Sequence, residues 1–234
     1  MQASFTYAGR VLPFRARFSG RTTLSISIMP DGAIEVIAPR GTSDDEIIRW
    51  LTKRGRWIVR QQRYFDQFRP RTPDRKYVVG ETHLYLGRQY RLKRIEADQE
   101  DVMLRGNYLR VMVGKGAGPR RMRALVQAWY KARAQVKLRE RFDTVWPKFD
   151  RLVTSTPELW LRPMKLRWGS HTPAGRIILN YDLIRAPTPC IDYVVAHELT
   201  HVVHPTHGPV FVQLLGTVMP DWQQRKQRLE RLLA

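Results

Sequence analysis

Four of the six histidines in this chain lie within the eleven residues 197 to 207. Such a cluster limits what the segment can form, because histidine is the side chain that most often binds a metal ion in proteins. His197 and His201 are four residues apart, so on a helix they lie on the same face, one turn apart. Two imidazoles in this arrangement can bind one ion, and the spacing predicts a helix that carries a metal site.

Glu198 directly follows the first of these histidines and completes an HExxH pattern. The apolar residues of the predicted helix cluster on one side, and Glu198 falls between that side and the two histidines. A carboxylate in this position lies beside the ion rather than on it, where it can accept a proton from a water that the metal activates. Glu198 is therefore the predicted general base.

The third metal ligand is either His204 or His207. His204 stays on the metal face only if the helix continues through Val203, but Pro205 disfavours helical geometry at the residue before it. A turn at this point brings His207 back toward the ion, so His207 is the favoured ligand, and direct ligation by His204 stays open. The single cysteine, Cys190, lies outside the cluster, so a closed four-ligand structural zinc site is not expected. The sequence predicts zinc with an open fourth position.

Strand patterning dominates the first half of the chain. Apolar alternation over residues 11 to 40 and 77 to 113 predicts short strands, including a hairpin around residues 24 to 36 and antiparallel pairing in the second group. Ser43 followed by Glu46 is a capping signature that predicts one helix to about residue 68. We expect an α+β fold without an internal repeat.

The periodicity changes from strand-like to helix-like at a segment rich in glycine and proline, residues 114 to 119. We therefore place a domain boundary there, with residues 1–116 as a strand-rich region that contains one long helix and residues 119–234 as a second domain. A long helix is expected from Arg120 to about Phe149. A strand over residues 160 to 168 is expected to form a hairpin with residues 177 to 179.

The chain is strongly basic, with 41 Lys and Arg against 21 Asp and Glu and a formal net charge of +20. This balance predicts attraction to polyanions. Two basic stretches, residues 49 to 76 and 120 to 151, also contain aromatic residues, as a nucleic-acid surface does. The same pattern is typical of amphipathic helices with solvated charges, so both interpretations stay open.

The sequence gives three indications about location. The first residues lack a basic start followed by an apolar block, which a secretory signal has. No run of 18 apolar residues predicts a membrane span. The single cysteine excludes an internal disulfide and suits a reducing compartment. We expect a cytoplasmic protein that does not contact a membrane.

Several segments around the histidine cluster resemble the YgjP-like metallopeptidase family, which is related to the SprT-like and WLM zinc proteases. The resemblance is strongest over residues 160 to 230, and its segments are Arg167-Trp168-Gly169-Ser170, Leu179-Asn180, Ile191 to Leu199, His201, His207, Pro209, Phe211 and Pro220-Asp221-Trp222. It implies that residues 119–234 form a compact zincin-like catalytic domain behind the strand-rich region. It also implies that His197, His201 and His207 bind zinc and that Glu198 acts as general base or acid.

The chain departs from the family pattern at one position. The family commonly continues Arg-Trp-Gly-Ser with cysteine, and this chain has His171 there. The substitution leaves the predicted metal ligands unchanged. It leaves open whether His171 is a surface histidine at the end of a hairpin or contacts the substrate or the ion.

Three functions are compatible with these observations. The first is a zinc-dependent metallopeptidase whose substrate is a peptide or protein. The second keeps the metal but hydrolyses nucleoside triphosphates, because a basic protein attracts phosphate-bearing anions. The third is a DNA-binding module that zinc only stabilises. Because three histidines favour zinc over magnesium and no glycine-rich phosphate loop is present, we expect the metallopeptidase.

Overall fold

The computed structural model describes residues 2–29, 31–66, 75–153, 155–164, 167–172 and 174–233. The chain divides into two compact units, one up to residue 71 and one over residues 72–233, each with its own hydrophobic core. This division differs from the predicted boundary at residues 116 to 119. The reason is that strand residues such as Leu92 and Val111 share one core with helix residues such as Phe142 and Leu199.

A four-stranded sheet opens the first unit. Its strands are β1 (Gln2–Tyr7), β2 (Arg10–Ser19), β3 (Ser25–Ile28) and β4 (Ile34–Pro39), in the order β1-β2-β4-β3. β3 and β4 form the predicted hairpin, while β2 and β4 pair in parallel. The core between this sheet and the following helices includes Phe14, Ile34 and Leu51.

Two helices follow the sheet, α1 (Asp44–Lys53) and α2 (Gly55–Asp66). Ser43 caps α1 as predicted, because its Oγ accepts a hydrogen bond from the N–H of Glu46 at 3.3 Å. The prediction of one continuous helix was wrong. The break comes at Arg54, which caps α1 with φ −96° and ψ 4°, and α2 begins at Gly55, where a Cβ atom would overlap the ring of Tyr7. The predicted end near residue 68 lies outside the described residues.

The second unit begins with a sheet of the same topology. Its strands are β5 (Thr82–Tyr85), β6 (Arg88–Glu96), β7 (Asp101–Arg105) and β8 (Tyr108–Val113), in the order β5-β6-β8-β7. The central pair β6–β8 is parallel, so the prediction of antiparallel strands throughout was wrong. In both sheets the outer pairs are antiparallel and the central pair is parallel. The fold therefore contains a repeat that the sequence did not predict.

The repeat extends to the first turn of each sheet. Tyr7-Ala8-Gly9-Arg10 and Tyr85-Leu86-Gly87-Arg88 both place two residues of positive φ between antiparallel strands. Two-residue hairpin turns of this kind match the twist of the strands that they join. A Tyr-x-Gly-Arg pattern thus marks the same turn in both units.

The long helix α3 (Pro119–Val145) follows the second sheet, close to its predicted bounds. The Arg141 guanidinium donates two hydrogen bonds to Asp192, at 2.7 and 3.0 Å, and so connects α3 to the helix that carries the histidine cluster.

Much of the remaining positive charge of α3 is paired or lies over aromatic rings: Arg121 with Glu100, Lys137 with Glu140, Arg139 with Asp143, Arg123 over Tyr77 and Arg133 over Trp129. These contacts favour the solvated-helix interpretation of this stretch.

A three-stranded sheet comes next, formed by β9 (Leu159–Arg162), β10 (Gly169–His171) and β11 (Ile177–Asn180) in the order β10-β11-β9. The hairpin partner of β11 is β10 rather than the predicted strand over residues 160 to 168, and β9 pairs with β11 in parallel. The segment before β10 is held by a side chain instead. The Asn180 amide donates to the backbone oxygens of Met164 and Arg167, at 2.8 and 3.3 Å.

Three helices complete the chain: α4 (Thr188–Val203), α5 (Pro209–Val218) and α6 (Trp222–Leu233). The strand-rich first half and the helical second half confirm the predicted α+β class. Within the described residues, no helix has the length and apolar composition that crossing a bilayer requires.

Candidate metal centre

Prolines define both ends of α4, the helix of the HExxH pattern. Pro189 lies in its first turn, where the missing N–H leaves no hydrogen bond unmade. At the other end His204 is extended, with φ −128° and ψ 97°, as expected before Pro205. The chain then bends at residues 205 and 206, and this bend returns His207 to the face of α4 that carries His197 and His201 before α5 begins after Gly208.

Three imidazoles converge at this turn. The Nε2 atom of His207 lies 3.1 Å from Nε2 of His197 and 3.1 Å from Nε2 of His201. Among the described residues, these three histidines form one group whose ligand atoms lie within 4.8 Å of one another, and no other His, Cys, Asp or Glu joins it. His204, the alternative third ligand, is outside the group.

The environment favours the neutral form of the three rings by lowering their pKa values. Burial, together with the neighbouring His201 and His207, lowers the pKa of His197 to about 3, and burial also lowers the pKa values of the other two. His201 Nδ1 lies 3.3 Å from the backbone oxygen of His204. Because a carbonyl oxygen only accepts, Nδ1 carries the proton and Nε2 has a free lone pair.

The geometry of the group fits a zinc ion. Zinc–nitrogen bonds of about 2.0–2.1 Å in a tetrahedron separate the ligand nitrogens by about 3.3–3.4 Å, close to the 3.1 Å between His207 Nε2 and each of the other two Nε2 atoms. Three imidazoles whose Nε2 atoms converge also have the chemistry of a zinc or other transition-metal site rather than of a magnesium site. The carbonyl of His204 supplies the outer hydrogen bond that usually orients a metal-binding imidazole.

One aromatic ring lies against all three histidines. The ring centroid of Phe211, on α5, is 5.1, 4.6 and 4.7 Å from those of His197, His201 and His207. Its side chain is only 2% exposed. Phe211 therefore packs against each imidazole and restricts its rotation. Tyr193 packs against His197 from the same helix, with centroids 5.8 Å apart.

Glu198 is buried next to β10. It is 6% exposed, and burial raises its pKa to about 7, against smaller lowering effects from the charge of Arg167 and the backbone N–H of His171. A Cβ atom on Gly169 would lie 2.6 Å from Oε1 of Glu198, so only glycine leaves room for this carboxylate. A carboxyl group whose pKa is raised in this way can both accept and return a proton near neutral pH.

A family model decides what kind of protein contains this arrangement. The model of the YgjP-like metallopeptidase domain matches residues 22–232 of the 234. The chain belongs to the YgjP-like metallopeptidase family. Membership implies a metal ion and suggests a hydrolase that acts on proteins.

Other comparisons add little to this assignment. A search of curated proteins found no match. Among solved structures, the chain is similar to the crystal structure of the metallopeptidase zymogen of Pyrococcus abyssi abylysin, with 18% identity and a TM-score of 0.36. That similarity covers 42% of this chain and 99% of the other. It is too distant to support an argument, and the assignment to the YgjP-like family rests on the family model.

The structure gives physical roles to several residues of the YgjP-like pattern whose roles the sequence did not predict. Gly169 makes room for Glu198, Asn180 holds the segment before β10, and Phe211 packs under the histidines. Spacing could not identify these roles, since each residue acts across the fold. His171 lies half-buried at the end of β10, outside the histidine group, and its backbone N–H contacts Glu198.

Proposed function

We propose that this member of the YgjP-like family is a zinc-dependent peptidase that hydrolyses peptide bonds in protein substrates. The observation that carries the proposal is the convergence of three histidine Nε2 atoms beside a buried carboxylate. A group of three ligands leaves a fourth position open, which a catalytic site needs and a purely structural site does not. We assign His197, His201 and His207 as the zinc ligands.

In this proposal His197, His201 and His207 would hold a zinc ion, which when bound would polarise the scissile carbonyl and lower the pKa of the attacking water. Oε1 or Oε2 of Glu198 accepts the proton of that water and later donates it to the leaving nitrogen. Gly169 keeps the carboxylate close to β10, and the N–H of His171 orients it. Phe211 and the His204 carbonyl hold the imidazoles in one arrangement, which limits reorganisation during turnover.

The strand β10 is a suitable contact for an extended substrate. It lies at the edge of its sheet and pairs only with β11 among the described strands. Exposed edges of this kind can accept a peptide as an additional strand. Because Glu198 contacts Gly169 and His171 in the same strand, a peptide bound there would place a backbone carbonyl near the proposed base.

A matched pair of histidine variants tests the ligand assignment. His207→Ala should lose zinc affinity by several orders of magnitude and lose casein cleavage. His204→Ala keeps the backbone carbonyl that orients His201, so it should retain one zinc per chain and most of the activity. Equal loss in both variants, or loss only in His204→Ala, would contradict the assignment.

Substrate class is tested with casein and a panel of nucleoside triphosphates, each with a chelator and after zinc is restored. The proposal predicts casein cleavage that the chelator abolishes and zinc restores. Nucleotide hydrolysis without peptide cleavage would instead support the nucleotide hydrolase.

A further inference from the structure

The sheet β5–β8 has one face that packs into the core and one that does not. Along β6, β7 and β8 the side chains of Leu92, Val102, Leu109 and Val111 are buried. Strand residues alternate between faces, so their neighbours point the other way. These neighbours are Arg91, Lys93, Asp101, Met103, Tyr108, Arg110 and Met112, and together with Arg105, which lies on the same face two residues after Met103, we call them the outer face.

The strand register places positive charges around one aromatic ring on this face. Tyr108 is opposite Arg91 on one side and Arg105 on the other. In the next row Lys93 is opposite Arg110, and the Lys93 Nζ atom lies 5.5 Å from the centre of the Tyr108 ring. The Tyr108 side chain is 41% exposed, so a flat aromatic surface is open to solvent among four cations.

These cations lack the acidic partners that the charges of α3 have. Within the described residues, none of the four forms an ion pair with a carboxylate. The Nε atom of Arg110 is buried and has no hydrogen-bond partner. Like charges directly opposite each other destabilise a sheet, so the pairing of Lys93 with Arg110 costs stability.

The first sheet has the same topology as the second but no like-charge pair at the corresponding position, so the topology does not require one. Counted from the shared Tyr-x-Gly-Arg turn, Arg15 of β2 has the same position as Lys93 of β6. Its neighbour on the parallel strand is Glu35, a residue of opposite charge. The like-charge pair is thus specific to the second sheet, and an anion bound there would remove its cost.

We propose that the outer face of β5–β8 binds single-stranded nucleic acid, independently of the peptidase function. Phosphates would lie against Arg91, Lys93, Arg105 and Arg110, and one base would stack on Tyr108. Sheet surfaces with exposed aromatic residues bind single strands in this way because unpaired bases offer their flat faces. An acidic protein segment could bind the same positive charges, but its binding would not require a flat exposed aromatic ring at their centre.

The test measures binding of labelled oligothymidine to the zinc-loaded full chain by fluorescence anisotropy, over a series of salt concentrations. Lys93→Gln/Arg110→Gln should weaken binding about ten-fold at low salt. It should also reduce the slope of log affinity against log salt by about 1.4, because each phosphate contact contributes about 0.7. The matched control, Arg15→Gln/Arg17→Gln on the first sheet, removes the same charge and should leave the slope unchanged.

A second pair of variants tests the stacking contact. Tyr108→Ala should weaken binding about ten-fold without changing the salt slope, and Tyr108→Phe should bind like the parent. The parent should also prefer the single strand to a duplex. Equal slopes in the two double variants would mean diffuse attraction by net charge and would overturn the proposal. Absence of binding would also overturn the proposal. A third contradicting result would be that poly-glutamate binds as tightly as oligothymidine and that Tyr108→Ala does not change its binding.

Discussion

The two four-stranded sheets have the same strand order and the same first turn, but they belong to different cores. Phe14 in the first sheet packs with α1 and α2, while Leu92, at the same position after the shared turn, packs in the core that contains α3 and α4. Only the second core therefore includes the helix of His197 and Glu198. Local turn and strand patterns therefore determine the sheet, while the helices that cover it determine whether its core includes the histidines and Glu198.

The largest expected difference concerns the equivalent core residues Phe14 and Leu92, which are 2% and 1% exposed. Phe14→Ala should cost about 3–5 kcal/mol and Leu92→Ala about 2–5 kcal/mol of unfolding free energy, measured by chemical denaturation. Zinc affinity, measured with a competing chelator, should fall only in Leu92→Ala, because only that core contains α4. Equal loss of zinc affinity in both variants would contradict the separation of the two cores.

Two glycines make a second comparison. Gly55 leaves room for the Tyr7 ring in the first unit, and Gly169 leaves room for Glu198 in the second. Gly169→Ala should reduce peptidase turnover about 10- to 100-fold with zinc still bound, because the base is displaced. Gly55→Ala should change stability but not turnover, and a loss of turnover in this variant would remove the distinction.

Glu81 should make the stability of the second unit depend on pH in the acid range. Its carboxylate accepts hydrogen bonds from the N–H groups of Lys76 and Tyr77, both at 2.8 Å. Although burial alone would raise the pKa of Glu81, these donors and His83 lower it below its ordinary value. Its stabilisation is therefore complete above the unfolded pKa, near pH 4.3, and is lost as pH falls through the lower folded value.

Glu81→Gln should accordingly cost about 1 kcal/mol at neutral pH. The difference from the parent should shrink as the pH falls through the folded pKa of Glu81. Denaturation series at several pH values measure this convergence. A difference that stays constant with pH would argue against the assigned role of the carboxylate.

The smallest expected effect concerns the charge pairs of the two sheets. Lys93→Glu places opposite charges across β6 and β8 and should stabilise the protein by about 0.2–1 kcal/mol. Glu35→Lys places like charges across β2 and β4 and should destabilise it by a similar amount. Urea denaturation at low salt measures the change in unfolding free energy of each variant. Changes of the same sign in both variants would show that cross-strand charge does not contribute to the difference between the two sheets.

Much of the candidate metal site could be predicted from the sequence because its geometry is local. His197, Glu198 and His201 share one helix, and Pro205 alone indicated that the helix ends in time for His207 to turn back. Gly169 and Phe211 could not be given roles in this way. Gly169 contacts Glu198, and Phe211 contacts the histidines, only because β10 and α5 pack against α4. The spacing of residues in the sequence does not predict this packing.

The fold was predicted less completely for a related reason. The hairpin β3–β4, the cap at Ser43 and the helix α3 depend on neighbouring residues and were predicted correctly. Parallel pairing of β6 with β8 depends on a crossover through β7, so strand patterns alone did not reveal it. The repeat is equally hidden, because the two sheets share pairing and a four-residue turn rather than a long stretch of sequence.

The most direct test of the proposed function is Glu198→Gln, compared with Glu140→Gln, an exposed glutamate on α3. Zinc content and casein turnover are measured on the same preparations. We expect one zinc per chain in both variants, with turnover reduced about 10²- to 10⁴-fold in Glu198→Gln and unchanged in Glu140→Gln. Full turnover in Glu198→Gln, with zinc bound, would contradict the assignment of Glu198 as the base.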